Sequence, residues 1–402
     1  MKERLMGRKS QRILFALGGL LLVLLNVIDI LYHQTIEIGF VDLKLYWEEF
    51  RVTLQGYDTG FYYHTGELIP GAAMLPAIPI FPWGRILGNL LCPAFLPYGV
   101  AKWYTVALLV VLCVVTGHMS RRYIQKHEAS KLFLLLATPL VYLMPFYWRD
   151  MITFFNIGGV ICFLLILMVF VVEEHPYAAA FLLAIAMMKP QNAMPFVIIL
   201  LLEKKWRTVF TAAGIDIVAW IISAIWTGVN PIKQVLYISG RSTDAEPYYF
   251  WFGLLDPLRN IGLSSNFAMV CSMVLGVAIL LLLYLAVKKN PAWKNNVIAI
   301  YSGAAVISTV WMYKSKSDFV IVVLASMLVL QYYLQASESG DGTGLVVSLR
   351  CLAMLALLNV LIFTEPIRIL LGYSFTTGMT IDAWCRTLAV VWLIVISKRL
   401  RD

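Results

Sequence analysis

Apolar runs close to 20 residues long recur along this chain of 402 residues. A run of that length crosses about 30 Å of hydrocarbon as a helix. In lipid every backbone N–H and C=O must find its partner inside the protein, which leaves helices as the way to use such runs. The expected fold is an all-α polytopic membrane protein. Composition agrees, with 60% of residues hydrophobic and 14% charged, against about a quarter charged in a soluble domain. The net charge of +9 does not point to nucleic acid, because the cations sit in short clusters between apolar runs. That placement is a topology signal. Cys92, Cys113, Cys162, Cys271, Cys351 and Cys385 show no CxxC spacing. They read as small packing residues, not as a metal cluster or disulfide frame.

The first span is expected near 13–32. It is long enough to stay as a span, and no small-residue cleavage site follows it, so no signal peptide is expected. Eleven further spans are expected at about 103–120, 132–147, 153–172, 177–188, 193–203, 208–227, 266–287, 295–312, 318–335, 346–363 and 383–397, giving a bundle of about 12. The pair 177–188 and 193–203 is short and reads as two spans or one broken hairpin. The run 69–96 is apolar but carries Pro70, Pro76, Pro79, Pro82 and Pro93. Proline removes backbone donors, so a re-entrant or interfacial element is expected there.

Charge gives the orientation. The N-terminal MKERLMGRKSQR holds five cations, SRRYIQKHEASK four, and EKKWR, KKNPAWK and SKRLRD three each, together 18 of the 32 Lys and Arg. All fall on one side of the twelve-span plan. Both termini are therefore expected in the cytoplasm of a plasma-membrane protein. The whole chain, 1–402, reads as one transmembrane domain. Its outer face would carry a first loop at 33–102, a second at 228–265 and a third at 364–382. No sequence repeat is evident, which weakens a transporter built from inverted halves.

The first outer loop contains FVDLKLYWEEFRVTLQGYDTGFYY, residues 40–63. Leu43, Tyr46, Trp47, Phe50 and Leu54 recur at helical spacing, and Gly56 supplies a stop. A helix lying at the outer membrane surface is expected, with Asp42 at its start. Asp42 is then either an N-cap or a base. Lys189, in MMKPQN, stands between two apolar runs. It either snorkels to the surface or binds an anion. The loop YISGRSTDAEPYYFWFGLLDPLRN carries Arg241 among aromatics that suit an interfacial anchor or sugar stacking. Asp29 and Asp216 lie inside spans, where acids are costly. Asp29 is the alternative base, and Asp216 is expected to pair with a neighbouring helix.

Two of these stretches resemble glycosyltransferase family 87 of the GT-C superfamily. The family comprises polyprenol-phosphate-mannose-dependent mannosyltransferases. VDLKLYWEEF followed by GYDTGFYY resembles its first outer loop, and MMKPQNAMPFVIILLLEKKWR resembles its Lys, span and basic-turn pattern. The resemblance implies a GT-C-like bundle with outer interfacial helices and loops. It implies Asp42 as catalytic base and matches Lys189, while the scarcity of outer-side cations makes Lys189, Arg241, Lys314 and Lys316 the candidates for the donor phosphate. Tyr46, Tyr62, Tyr63, His64 and Gln191 would meet acceptor or sugar. Relatives often carry histidine before a late span, where this chain has WMYKSKSDF.

The implied activity is inverting transfer of a hexose, with mannose expected ahead of arabinofuranose. It would pass from a lipid-linked donor to a glycolipid or glycan acceptor on the outer face. No metal or other cofactor is expected. A lipid or glycan transporter or flippase is the competing class. It would need polar groups at mid-membrane, whereas here they concentrate on the outer side.

Overall fold

The computed structural model describes residues 2–32, 40–65, 69, 80–124, 131–144, 155–244, 253–312, 316–339, 344–360, 368–372 and 374–397. All regular structure among them is helical. The first part contains α1 (Lys2–Tyr32), α2 (Val41–Leu54), α3 (Thr59–Thr65), α4 (Pro82–Leu87), α5 (Tyr98–Ile124) and α6 (Lys131–Leu143). The middle contains α7 (Gly158–Val171), α8 (Pro176–Ala186), α9 (Pro190–Leu202), α10 (Trp206–Thr227), α11 (Pro231–Asp244) and α12 (Leu255–Asn260). The last part contains α13 (Ser265–Lys288), α14 (Val297–Ile307), a 3₁₀ segment (Lys316–Val322), α15 (Val323–Ser339), α16 (Gly344–Asn359), α17 (Arg368–Leu371) and α18 (Phe375–Ser397). One buried apolar core runs through them from Phe15 to Ile394.

Among the described residues, four helices are long and apolar enough to cross a membrane: α5, α10, α13 and the segment 318–336. The expectation of about twelve full crossings is not met at that length, since six other apolar helices have only 10–17 residues. The 318–336 segment is almost wholly enclosed by protein, whereas α5, α10 and α13 turn most of their surface outward. The short helices have local causes. Pro176 and Pro190 stand at the first positions of α8 and α9, where a missing N–H costs nothing. Asn296 caps α14 by accepting from the Ala299 N–H at 3.1 Å. The 177–203 region is thus two helices separated at residues 187–189.

Contacts between helix ends sort the bundle into two ends. At one, Lys205 pairs with Glu173, Lys288 with Glu203 at 2.7 Å, and the Tyr123 hydroxyl accepts from the Val297 N–H at 3.0 Å. At the other, Trp311 Nε1 donates to the Gln191 carbonyl at 2.8 Å, and Trp226 Nε1 to the Leu54 carbonyl at 3.0 Å. The chain order alternates between these ends, as an up-and-down bundle requires. Helix α10, with 22 residues, is about 33 Å long, while α8 and α9, with 11 and 13, reach about 17 and 20 Å. The tip between α8 and α9, where Lys189 sits, is therefore recessed below the end of α10.

The proline-rich run is described at residue 69 and from 80 onward. There α4 and a 3₁₀ turn at Gly88–Leu90 pack inside the protein, with Leu87, Leu91 and Cys92 buried. Short broken helix at this depth survives because protein, not lipid, surrounds it.

Candidate active site

Helix α2 forms where its periodicity predicts, but it is held in the protein and does not lie free on a surface. Leu43, Tyr46 and Phe50 are buried. Trp47 Nε1 donates to the Leu96 carbonyl at 3.1 Å, and Trp226 ties down the C-terminal end. Gly56, at φ 91°, takes the left-handed turn that ends the helix. At the start, the cap position belongs to Phe40, with no side-chain cap bond. The capping alternative for Asp42 therefore fails. Its carboxylate Oδ2 accepts from Asn156 Nδ2 at 2.8 Å.

Phe40 and Phe155 both adopt left-handed backbone, at φ 46° and 49°. Such strain costs roughly 1–3 kcal/mol per residue and gathers at functional sites. Their rings stack with centroids 5.5 Å apart. The Tyr98 hydroxyl donates to the Phe40 carbonyl at 3.1 Å, and Lys102 Nζ stands 4.3 Å from the Phe40 ring. The two strained residues thus brace the segments that carry Asp42 and Asn156.

From Asn156 the network runs inward. Its Oδ1 accepts from Lys189 Nζ at 2.7 Å and from the Gly158 N–H at 2.9 Å. Lys189 Nζ also donates to Asp318 Oδ1 at 3.0 Å. Asn192 Nδ2 donates to the same oxygen at 3.0 Å. Tyr46 is buried near the cluster, close enough for the Lys189 charge to act on its hydroxyl. Two of the ammonium's three donors are thus engaged within the protein, by Asn156 and Asp318. Only glycine fits at position 158, since a Cβ there would lie 1.9 Å from Asp318 Oδ1 and 2.6 Å from Lys189 Nζ.

Charge follows from this geometry. Burial pushes the Asp42 carboxyl above the usual carboxylate range, against the opposing pull of Asn156 and Lys189. Burial works against the charge on Lys189 too, but the Asp318 carboxylate outweighs it and the pKa lies above the ordinary lysine value. The snorkelling alternative for Lys189 does not hold, because the residue is 9% exposed.

A second buried network holds the far end of α2. Arg85 Nη1 pairs with Asp58 Oδ2 at 2.8 Å, and Arg85 Nε lies 3.4 Å from Glu49 Oε1. Gln234 Nε2 donates to Asp58 Oδ2 at 2.7 Å, and the Thr59 hydroxyl donates to Glu49. Glu49, which periodicity places on the polar face of α2, is thus interior.

Burial pushes the Glu49 carboxyl up to about 7 from its ordinary 4.5, in spite of Arg85 and Thr59. The folded state then holds the extra proton between those values, so stability falls as pH rises through that window. The difference is on the order of 3 kcal/mol at most. Glu49→Gln is expected to flatten the decline in unfolding temperature between pH 5 and pH 8. An unchanged pH profile in this variant would remove Glu49 as its source.

The other expected site residues distribute unevenly. Asp42, Tyr46 and Lys189 come together, and Gln191 is buried at the head of α9 beside them. Tyr62 packs edge-on against Tyr57 and Phe61, and His64 stacks on Tyr237 with centroids 4.7 Å apart. Both belong to the α3–α11 contact. The side chains of Asp29, Tyr63, Arg241 and Lys316, and all of Lys314, lie outside the described residues. Asp216 Oδ1 is buried without a hydrogen-bond partner among the described residues, so the expected helix pairing is not seen.

Asn156, Gly158, Asn192, Glu49 and Arg85 were not singled out by sequence reading. Polar residues breaking apolar runs, as in FNIGG and KPQN, were the available signal. Asp318 stands in the stretch WMYKSKSDF, next to Lys314 and Lys316. Among the described residues, no three His, Cys, Asp or Glu side chains gather as a metal site would require.

The sequence profile of glycosyltransferase family 87 matches residues 88–337, more than half of the chain. This chain belongs to glycosyltransferase family 87. No curated protein and no solved structure matches it. The matched region includes Asn156, Gly158, Lys189, Asn192 and Asp318, while Asp42 lies before it. Membership makes the chain a glycosyltransferase with a sugar donor and an acceptor. Nothing in the fold favours the transporter or flippase.

Proposed function

We propose that this family 87 member moves a hexose, mannose first among candidates, from a polyprenyl-phosphate donor to a glycolipid or glycan hydroxyl on the outer membrane face. The observation that carries the reading is the recessed Asp42 carboxylate, held by Asn156 and raised in pKa by burial. A base is most useful when its pKa approaches the working pH. Asp42 takes the acceptor hydroxyl proton while the oxygen bonds to the anomeric carbon. The bond from that carbon to the phosphate oxygen breaks on the opposite face, inverting the centre and releasing polyprenyl phosphate.

Lys189 enters this scheme differently from the sequence expectation. Buried at 9% exposure and bonded to Asn156 and Asp318, it positions Asn156 and so Asp42. The phosphate then falls to the other candidate cations. Lys316 begins the 3₁₀ segment that carries Asp318, and Lys314 and Arg241 are the companions. No cofactor is required by these steps. Placing the active site on the outer face with both termini in the cytoplasm rests on the cation clusters, which the up-and-down order of the helices supports.

The purified protein should be incubated with polyprenyl-phosphate mannose, glucose and arabinofuranose in turn, with extracted membrane glycolipids as acceptor. A new inverted glycosidic bond from the mannose donor is expected. Transfer only from a nucleotide sugar would overturn the donor assignment, and transfer from another lipid-linked sugar would overturn mannose.

A further inference from the structure

A cavity of about 370 Å³ opens between α5 and α6, away from Asp42. Helix α5 fixes its position. Its first residue, Tyr98, bonds to Phe40 beside Asp42, while Tyr123 bonds to Val297 at the opposite end. The cavity lies along the half of α5 from Cys113 to Arg121. Its walls are almost entirely apolar, with Val114 and Leu143 on its exposed flanks. Gly117 opens the floor, since a Cβ at that position would meet no atom within 4 Å.

Charge sits at one end only. Arg121 lines the cavity and His118 shares its helix face three residues earlier. Arg122 adds a second cation in the same last turn of α5. Two polar atoms here are buried without hydrogen-bond partners among the described residues, Arg121 Nε and Thr138 Oγ1. Thr138 is 4% exposed, so its hydroxyl has no ready access to water. Buried groups of this kind normally find partners. An apolar slot with a cation at one end is complementary to a lipid whose headgroup is anionic. Basic pockets between helices near the cytoplasmic surface bind such headgroups.

We infer that the α5–α6 groove binds one anionic phospholipid, its phosphate at Arg121 and one acyl chain along Cys113, Val114, Gly117 and Leu143. The site is separate from the donor path, because it lies on the half of the bundle opposite Asp42. A polyprenyl monophosphate shares the chemistry of an apolar chain with a phosphate, but as the product of transfer it belongs at Asp42, on the other half of the bundle.

The full-length protein in detergent should be titrated with phosphatidylglycerol, phosphatidylcholine and polyprenyl monophosphate, and bound lipid counted by native mass spectrometry. Wild type is expected to hold one phosphatidylglycerol with roughly fivefold preference over phosphatidylcholine, the factor one surface cation supplies. Arg121→Gln should remove the preference and keep weak binding of both phospholipids. Gly117→Leu should fill the groove and remove binding of both, with an unfolding temperature and elution volume like wild type. Equal affinity for the two phospholipids in wild type would overturn the inference. Unchanged binding in folded Gly117→Leu would do so as well, as would binding of polyprenyl monophosphate alone. None of these outcomes depends on which sugar the enzyme transfers.

Discussion

Asp42→Asn is expected to lower sugar transfer by about 10²- to 10⁴-fold, the range a positioned general base supplies. The replacement has the same shape, and its amide oxygen can still accept from Asn156 Nδ2, which now approaches Asp42 Oδ2 at 2.8 Å. What disappears is the capacity to take a proton. Stability should move the other way. Burial is the largest influence on Asp42 and it disfavours the charged form. A folded-state pKa above the ordinary value means that ionisation costs stability as pH rises through the folded value, and a neutral side chain escapes that cost. Lost transfer with an equal or higher unfolding temperature at pH 8 is the expected pair of results. Wild-type transfer by folded Asp42→Asn would end the base assignment and return attention to Asp29.

Lys189→Met should be the most destabilising single change at the site, by roughly 3–5 kcal/mol, because it leaves buried carboxylates without their cation. Asp318 is 1% exposed and its Oδ1 receives both Lys189 and Asn192. Adding Asp318→Asn removes the uncompensated charge, so the double variant should regain much of the lost unfolding temperature. Transfer should stay low in both. The double variant still lacks the ammonium that fixes Asn156, and through it the approach of Asp42. If the double variant is as unstable as the sum of the two singles, the buried pair is not what Lys189 provides. If transfer returns along with stability, its positioning role is wrong.

How much of the site could be read from residues alone differs from element to element. Helix α2 was legible because Leu43, Tyr46, Phe50 and Leu54 repeat at helical spacing, and the helix forms at Val41–Leu54. That repeat also marked Glu49 as polar and therefore outward. Periodicity records which side chains are apolar, not which charges find partners. Glu49 is interior only because Arg85, 36 residues later, folds back onto it. The break at Lys189 was legible too, since Pro190 follows it directly. Its burial was not, because a lysine flanked by apolar runs looks the same whether it reaches water or a carboxylate.

The sequence by itself determined that the chain is helical and belongs in a bilayer, because apolar runs without partners for their backbone leave no other arrangement. It also set several helix starts, through Pro176, Pro190 and Asn296, and it carried the family. Only the tertiary structure decided which polar residues form the site. Asp42, Asn156, Lys189 and Asp318 are separated by 276 residues of chain between the first and the last. They meet because α8 and α9 are too short to match α10 and leave a recess at one end. The physical reason is the range of the forces involved. Backbone hydrogen bonding and apolar periodicity act within a few residues of one another. A buried charge must find its counter-charge wherever the packed helices happen to bring one.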